Sequence, residues 1–235
     1  MSTARARLAA LVTGAATIIL LVTIALPIFF NPVWIRLGQE RAQADAWTGW
    51  PMETVTEVTN AVLLDVLVGP PDFNQVVDGE PVFNERERGH LRDVRTVTIL
   101  FAVVALLAVG WLVVAARRSH GARWFWQGVA GGALALAGGV AVVGLLALVA
   151  FDEVFEVFHR VLFPEGTYNF DPSTERMVQL FPMQFWFETS IALGVVLLLL
   201  AGAALLVARP RLRATKGPWR LADDAAVATD PGGRP

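Results

Sequence analysis

The chain has 235 residues, of which 55% are hydrophobic and 17% charged, with a formal net charge of −2. Its mean hydropathy of +0.54 lies well above that of a soluble domain. With no basic stripe of interleaved aromatics it carries no footprint for a nucleic acid, and the absence of cysteine excludes disulfides, thiolate nucleophiles, a lipobox and cysteine metal sites.

Four apolar runs, at 8–30, 97–116, 124–151 and 189–208, are long enough to cross a hydrocarbon core, which takes roughly 20 helical residues. They are continuously apolar, with no polar residue at every second position, so a barrel is excluded. The first run follows Arg5 and Arg7 and ends at Pro27-Ile28-Phe29-Phe30. It is longer than a signal-peptide core and offers no small-residue cleavage site, so it is expected to be retained as a helix.

Residues 31–51 are mixed and rich in tryptophan (Trp34, Trp47, Trp50), as suits chain at a headgroup layer. Thr54-Val55-Thr56-Glu57 has the capping-box pattern, and Val55, Val58, Val62, Val66 and Leu67 follow near helical spacing. Gly69-Pro70-Pro71 ends this amphipathic helix, and the segment to Val82 is turn-rich. Asn84 can cap a new helix with Glu87 at its third position. That helix runs unbroken except for Gly89 into the second span, and its spacing aligns Glu87, His90 and Asp93 or Val94 on one face. His90 precedes Val97 by seven residues, about 10 Å beyond the apolar boundary.

In the third span, Gly128 and Gly132 have the spacing that permits close helix packing. After Phe151 an apolar stripe (Phe151, Val154, Phe155, Phe158, Leu162) opposes Asp152, Glu153, Glu156 and Arg160. This segment can bend to lie in the interface, with His159 between its two faces. Phe163 to Pro172 is turn-dense, and Ser173 can cap a short helix to Leu180. Asp223–Pro235 has the composition of a disordered tail.

Arg117, Arg118 and Arg123 bracket the shortest connection, and Arg209, Arg211, Arg213, Lys216 and Arg220 follow the last span. The two long connections carry 18 of the 21 acidic residues. The basic bias of cytoplasmic segments therefore places both termini and the 117–123 turn inside. The expected architecture is an all-α integral membrane protein of the bacterial plasma membrane. Residues 1–208 form four transmembrane helices, with two helical extracytoplasmic loops (31–96 and 152–188) making a cap. Residues 209–235 form a cytoplasmic tail, basic and then disordered.

Only three histidines occur, and two of them, His90 and His159, each follow a glutamate by three residues, Glu87 and Glu156, beside an apolar run. Histidine titrates near neutrality, and a carboxylate can orient its ring. Serine hydrolysis is disfavoured, because no Gly-x-Ser-x-Gly occurs and only Ser173 lies clearly on the histidine side. Two Glu-x-x-His elements also suit a carboxylate-bridged metal pair, which would need further carboxylates such as Glu40 and Glu188. A non-enzymatic envelope scaffold is a third possibility. Metal-free acyl transfer, with histidine as base or nucleophile, fits the location at the depth of lipid esters and needs no cofactor.

Phe83-Asn84-Glu85-Arg86-Glu87-x-x-His90-Leu91-x-Asp93-Val94 resembles the bacterial four-span family that includes the lipoprotein intramolecular transacylase. So do Phe158-His159-x-x-x-Phe163, Gly166-Thr167-Tyr168-x-Phe170-Asp171-Pro172 and Phe181-Pro182. The resemblance implies O-to-N transfer of an acyl chain within the diacylglyceryl-modified N-terminal cysteine of a lipoprotein, giving an N-acyl lyso-lipoprotein. The partners implied are the diacylated lipoprotein N-terminus and membrane lipid. By resemblance His90 and His159 are the catalytic residues. Glu87, Glu156, Asp93 and Asn84 are expected to support them. Arg92, Arg95, Tyr168, Asn169 and Asp171 are candidates to bind the oxyanion or headgroup.

Overall fold

The computed structural model describes residues 2–214; of the tail expected at 209–235, residues 209–214 continue the last helix and 215–235 lie outside the described residues. Helix α1 (Thr3–Phe29), α5 (Glu85–Ser119), α6 (Arg123–Val149) and α9 (Met183–Ala214) are the long elements. All four are long and apolar enough to cross a membrane, and the chain is a multi-pass membrane protein. Between them lie α2 (Pro32–Arg41), α3 (Ala44–Thr48), α4 (Met52–Leu67), β1 (Val76–Val77), β2 (Glu80–Pro81), α7 (Phe151–Leu162) and α8 (Arg176–Leu180).

In the bundle α6 packs against both α1 and α9, while α5 packs chiefly on α1. The α1–α6 crossing is tight because it is made of backbone. A Cβ added at Gly128 would lie 2.6 Å from the Ala10 carbonyl, and one at Gly132 would strike Gly14. Apolar layers of Leu21, Ala25, Ala133, Leu136, Leu197 and Ala201 continue the core. Trp111 on α5 donates to the Thr13 hydroxyl on α1 (3.1 Å).

The segments 31–83 and 163–182 assemble a cap at one end of the bundle. Its core joins Ala44, four valines of α4, Phe73, Val82, Phe83, Leu91 and Leu180. Buried Gln39 on α2 donates both to Thr59 on α4 and to the Leu180 carbonyl. The second long helix starts where expected. The Asn84 side chain accepts from the Glu87 N–H while the Glu87 carboxylate accepts from the Asn84 N–H. At about 1.5 Å per residue the 35-residue α5 is about 52 Å long against a hydrocarbon core of about 30 Å. Its first turns, before Val97, therefore project beyond the apolar stretch.

Four local expectations are corrected or refined. Thr54–Glu57 is not a capping box, because Gly49 in the left-handed region (φ 72°) and Pro51 start α4 already at Met52. Ser173 does not cap α8. Its N–H and hydroxyl both donate to Asp171 Oδ1, closing a turn, and α8 begins only at Arg176. The stretch read as turns holds a hairpin, β1 against β2, around Asp78-Gly79 with φ of 53° and 85°, the positive values a type I′ turn requires. The third span stops at Val149 rather than 151. Ala150 leaves helical geometry (φ −149°, ψ 55°) and α7 sets off separately.

Candidate active site

The break at Ala150 brings the two distant histidines together. His90, on the second turn of α5, and His159, near the end of α7, lie with ring centroids 6.0 Å apart and planes inclined by 29°. Both rings are buried (5% and 9% exposed). They sit in an aromatic sleeve: Phe163 and Phe170 pack on His90 (4.7 and 5.6 Å), and Phe155 and Tyr168 on His159 (4.2 and 5.3 Å). Arg86 closes the outer side of Phe170, its guanidinium 4.8 Å from the ring.

The two rings differ in their hydrogen bonding. His159 Nδ1 lies 2.8 Å from the Phe155 carbonyl oxygen. A carbonyl only accepts, so Nδ1 carries the proton and Nε2 presents its lone pair. His90 Nδ1 is buried with no partner among the described residues, leaving its tautomer open. Burial, and then the neighbouring His159 ring, lower the His90 pKa to about 4. Burial also lowers His159, opposed by the Phe155 carbonyl and Glu156. Both imidazoles are therefore neutral near pH 7.

The carboxylates are used differently from the expectation. Glu87, 2% exposed, does not orient His90. Its two oxygens accept the backbone N–H groups of Asn84 and Met177, because the cap has to satisfy a helix start and a loop at the same place. Glu156 does not reach His159 either. It accepts from the Tyr168 hydroxyl (3.2 Å) and pairs with Arg160 (3.1 Å), and its influence on His159 is that of a nearby charge. Asp93 bonds neither ring. Asn84 makes the helix cap and also donates to Glu175.

Among the proposed headgroup ligands, Arg92 is paired with Glu85 and the Pro71 carbonyl. Arg95 donates to the Asp65 carbonyl at the end of α4. Asp171 is held in its turn with Ser173. Tyr168 and Asn169, by contrast, line an open cavity of about 590 Å³ together with Glu156, Arg160, Glu165 and Gly166, and neither histidine is among its lining residues.

Glu175 escaped the sequence reading, since no spacing links it to either histidine. It is 7% exposed and takes both oxygens to Arg86 (2.6 Å each), one to Asn84 (3.2 Å) and one to the Asp171 N–H (2.6 Å). Burial pushes its carboxyl up, and Arg86, Asp171 and Asn84 outweigh that and leave it below the usual carboxylate range. Glu87 and Glu175 together clasp the loop that carries Phe163, Tyr168 and Phe170 onto the start of α5. The carboxylates a metal pair would require are engaged elsewhere, Glu40 with Arg36 and Glu188 with Arg41. Among the described residues no group of three or more His, Asp or Glu side chains is placed to hold a metal ion.

Comparison with known proteins bears on what this pair belongs to. The model of a family described as lipoprotein intramolecular transacylase Lit matches residues 10–186. An uncharacterized protein of Aquifex aeolicus is 27% identical over 121 residues, which cover 51% of this chain and 53% of that one. The chain thus matches about half the length of that relative. Among solved structures, the membrane integral lipoprotein intramolecular transacylase Lit from Bacillus cereus superposes with a TM-score of 0.77 at 13% identity. The superposition covers 92% of this chain and 99% of that one. A variant of the same protein, with one histidine replaced by arginine, gives a TM-score of 0.70 at 13% identity over 90% and 94%. At such identities these structures show the fold.

Proposed function

The chain belongs to the lipoprotein intramolecular transacylase family, and from that premise we propose that it moves an acyl chain from a glycerol oxygen to the α-amine of a diacylated lipoprotein's N-terminal cysteine. The observation that carries this reading is the buried, stacked pair of neutral imidazoles, one of them fixed as a base.

His159 Nε2 takes a proton from the amine as its nitrogen attacks the ester carbonyl carbon. The carbon–oxygen bond to glycerol then breaks, the proton passes to the glycerol oxygen, and an amide and a free hydroxyl result. Proton balance closes within the substrate, so no water and no side-chain nucleophile enter the reaction. His90, neutral and with an N–H to donate, polarises the ester carbonyl. The aromatic sleeve excludes water, which strengthens that hydrogen bond and suppresses hydrolysis. Tyr168 and Asn169 face the cavity where the residues after the cysteine emerge. Holding the amine and the ester against one base supplies most of the acceleration, since the transfer is intramolecular.

In this reading no metal or cofactor takes part. Residues 1–208 form the membrane unit, the arginines at 117–123 and 209–213 lie on the cytoplasmic side, and the cap and the histidines face the outer leaflet where diacylglyceryl groups reside. The test is mass spectrometry of a reporter lipoprotein's N-terminal peptide from cells with and without this protein. Appearance of an N-acyl lyso form with the wild type, and its loss with His159→Ala at normal membrane level, is the expected result. An unchanged diacylglyceryl terminus in both would refute it.

A further inference from the structure

We propose that α7 lies flat in the membrane interface with its apolar face among the acyl chains, so that the bilayer itself is the partner that sets the depth of His159. Chain length gives the first argument. His90 lies 30 residues before His120 and His159 lies 39 after it. Were α7 to continue α6 as a straight rod, His159 would stand about 13 Å further from the turn than His90. The rings are instead 6.0 Å apart. The Ala150 break lets α7 leave the α6 axis and so removes the mismatch, as a helix turned along the membrane surface would.

The faces of α7 give the second argument. Of its twelve residues only His159 is buried. Taking 100° per residue from His159, the charged Glu156, Arg160 and Glu153 fall at about 60–120° on one side, while Val157, Val161, Val154 and Phe158 fall on the other. Val157, Phe158 and Val161 are 55%, 53% and 76% exposed, and no element of the described chain covers them. An uncovered apolar face opposite a charged one is the pattern of a helix lying in an interface.

Continuity with the membrane gives the third. Helix α7 begins two residues after α6 ends, at Val149, which is itself 80% exposed on a spanning helix. On its inner side α7 packs against the start of α9 through Phe151–Phe187 and Phe155–Trp186. Trp186, 38% exposed, is a side chain that favours the headgroup boundary. The lipid leaflet is therefore the occupant of this face. With α7 at that level, His159 is presented sideways to His90 at the height of the glycerol esters.

The chain has no cysteine, so single-cysteine variants carry a nitroxide at one chosen site. In liposomes, labels at Val157→Cys and Val161→Cys should be relaxed more by oxygen than by a water-soluble nickel chelate, and a label at Glu153→Cys should show the reverse. Equal nickel access at all three would overturn the proposal. So would dipolar broadening between copies at Val157→Cys, which would make the face a protein interface. The readout does not involve the reaction, so its failure is separate from failure of the transacylase reading. A Val157→Glu/Val161→Glu variant should also shift the depth of a label at Glu153→Cys, whereas Val157→Leu should leave it unchanged.

Discussion

Removing Glu175 tests how the histidine pair is kept closed. Its carboxylate accepts four hydrogen bonds that tie Arg86, Asn84 and the Asp171 N–H together. In Glu175→Ala the Arg86 guanidinium, 48% exposed, rehydrates, so the ion-pair contribution is small. Asn84 and Asp171 are themselves exposed, so their amide and N–H rehydrate in part and each lost hydrogen bond costs only about 0.5–1.5 kcal/mol net, giving a total of about 1–3 kcal/mol. That cost falls on one segment, so it appears as local opening of 163–177 and not as global unfolding. At about 1.4 kcal/mol per factor of ten the open population rises between roughly 5-fold and 140-fold. Hydrogen exchange in nanodiscs should show that acceleration in peptides covering 163–177, with the α1–α6 crossing unchanged. Lyso-lipoprotein formation should fall with it, since Phe163, Tyr168 and Phe170 leave the rings. Unaltered exchange at 163–177 in a normally inserted variant would refute the clasp.

Three further outcomes follow from the site. His90→Ala and His159→Ala should each cut lyso-lipoprotein formation by about 10²–10⁴-fold, the usual worth of a general base or acid, while His120→Ala, in the exposed turn at the far end of α5, should retain it. On the pH axis, His90 is depressed from 6.5 to about 4, so its contribution to stability is fully present above pH 6.5 and is lost as pH falls through that window. The loss is about 3 kcal/mol. The difference in thermal unfolding between wild type and His90→Asn, followed from pH 7 to 4, should show it, and parallel curves would contradict it. Activity of purified protein should survive exhaustive chelation. Stoichiometric zinc, iron or manganese, lost together with activity on Glu87→Ala, would favour the metal alternative.

How much was legible in the sequence depended on whether the signal was local. The four spans, the Asn84–Glu87 cap and the Gly128/Gly132 crossing are written in short-range patterns, and the structure contains each of them. The approach of His90 and His159 was foreseeable only by supposing a bend, because the straight-helix arithmetic argues against it. The hairpin at Asp78-Gly79 carried its own dipeptide signal, which the surrounding glycines and prolines obscured. Glu87 and Glu156 were assigned to the wrong partners because spacing reports which residues share a helix face. It does not report which backbone N–H groups a folded loop delivers to them. Met177 and Tyr168 come to these carboxylates from 90 and 12 residues away. Glu175 was invisible for the same reason.

The two Glu-x-x-His elements therefore repeat a spacing without repeating a role. His159 lies in the last turn of a short helix, where its ring reaches back to the Phe155 carbonyl and fixes the proton on Nδ1. His90 lies near the start of a long helix, and its Nδ1 finds no such carbonyl. One imidazole is thereby held as a base with its lone pair forward, while the other can change tautomer as charge develops on a substrate oxygen. In the acyl transfer proposed above, that asymmetry would let one ring take the amine proton while the other donates to the ester carbonyl. A pair built symmetrically, with a carboxylate fixing each ring, would fix both tautomers and lose it. The commitment of Glu87 to the helix cap, away from His90, is for that reason consistent with the chemistry rather than a defect in it.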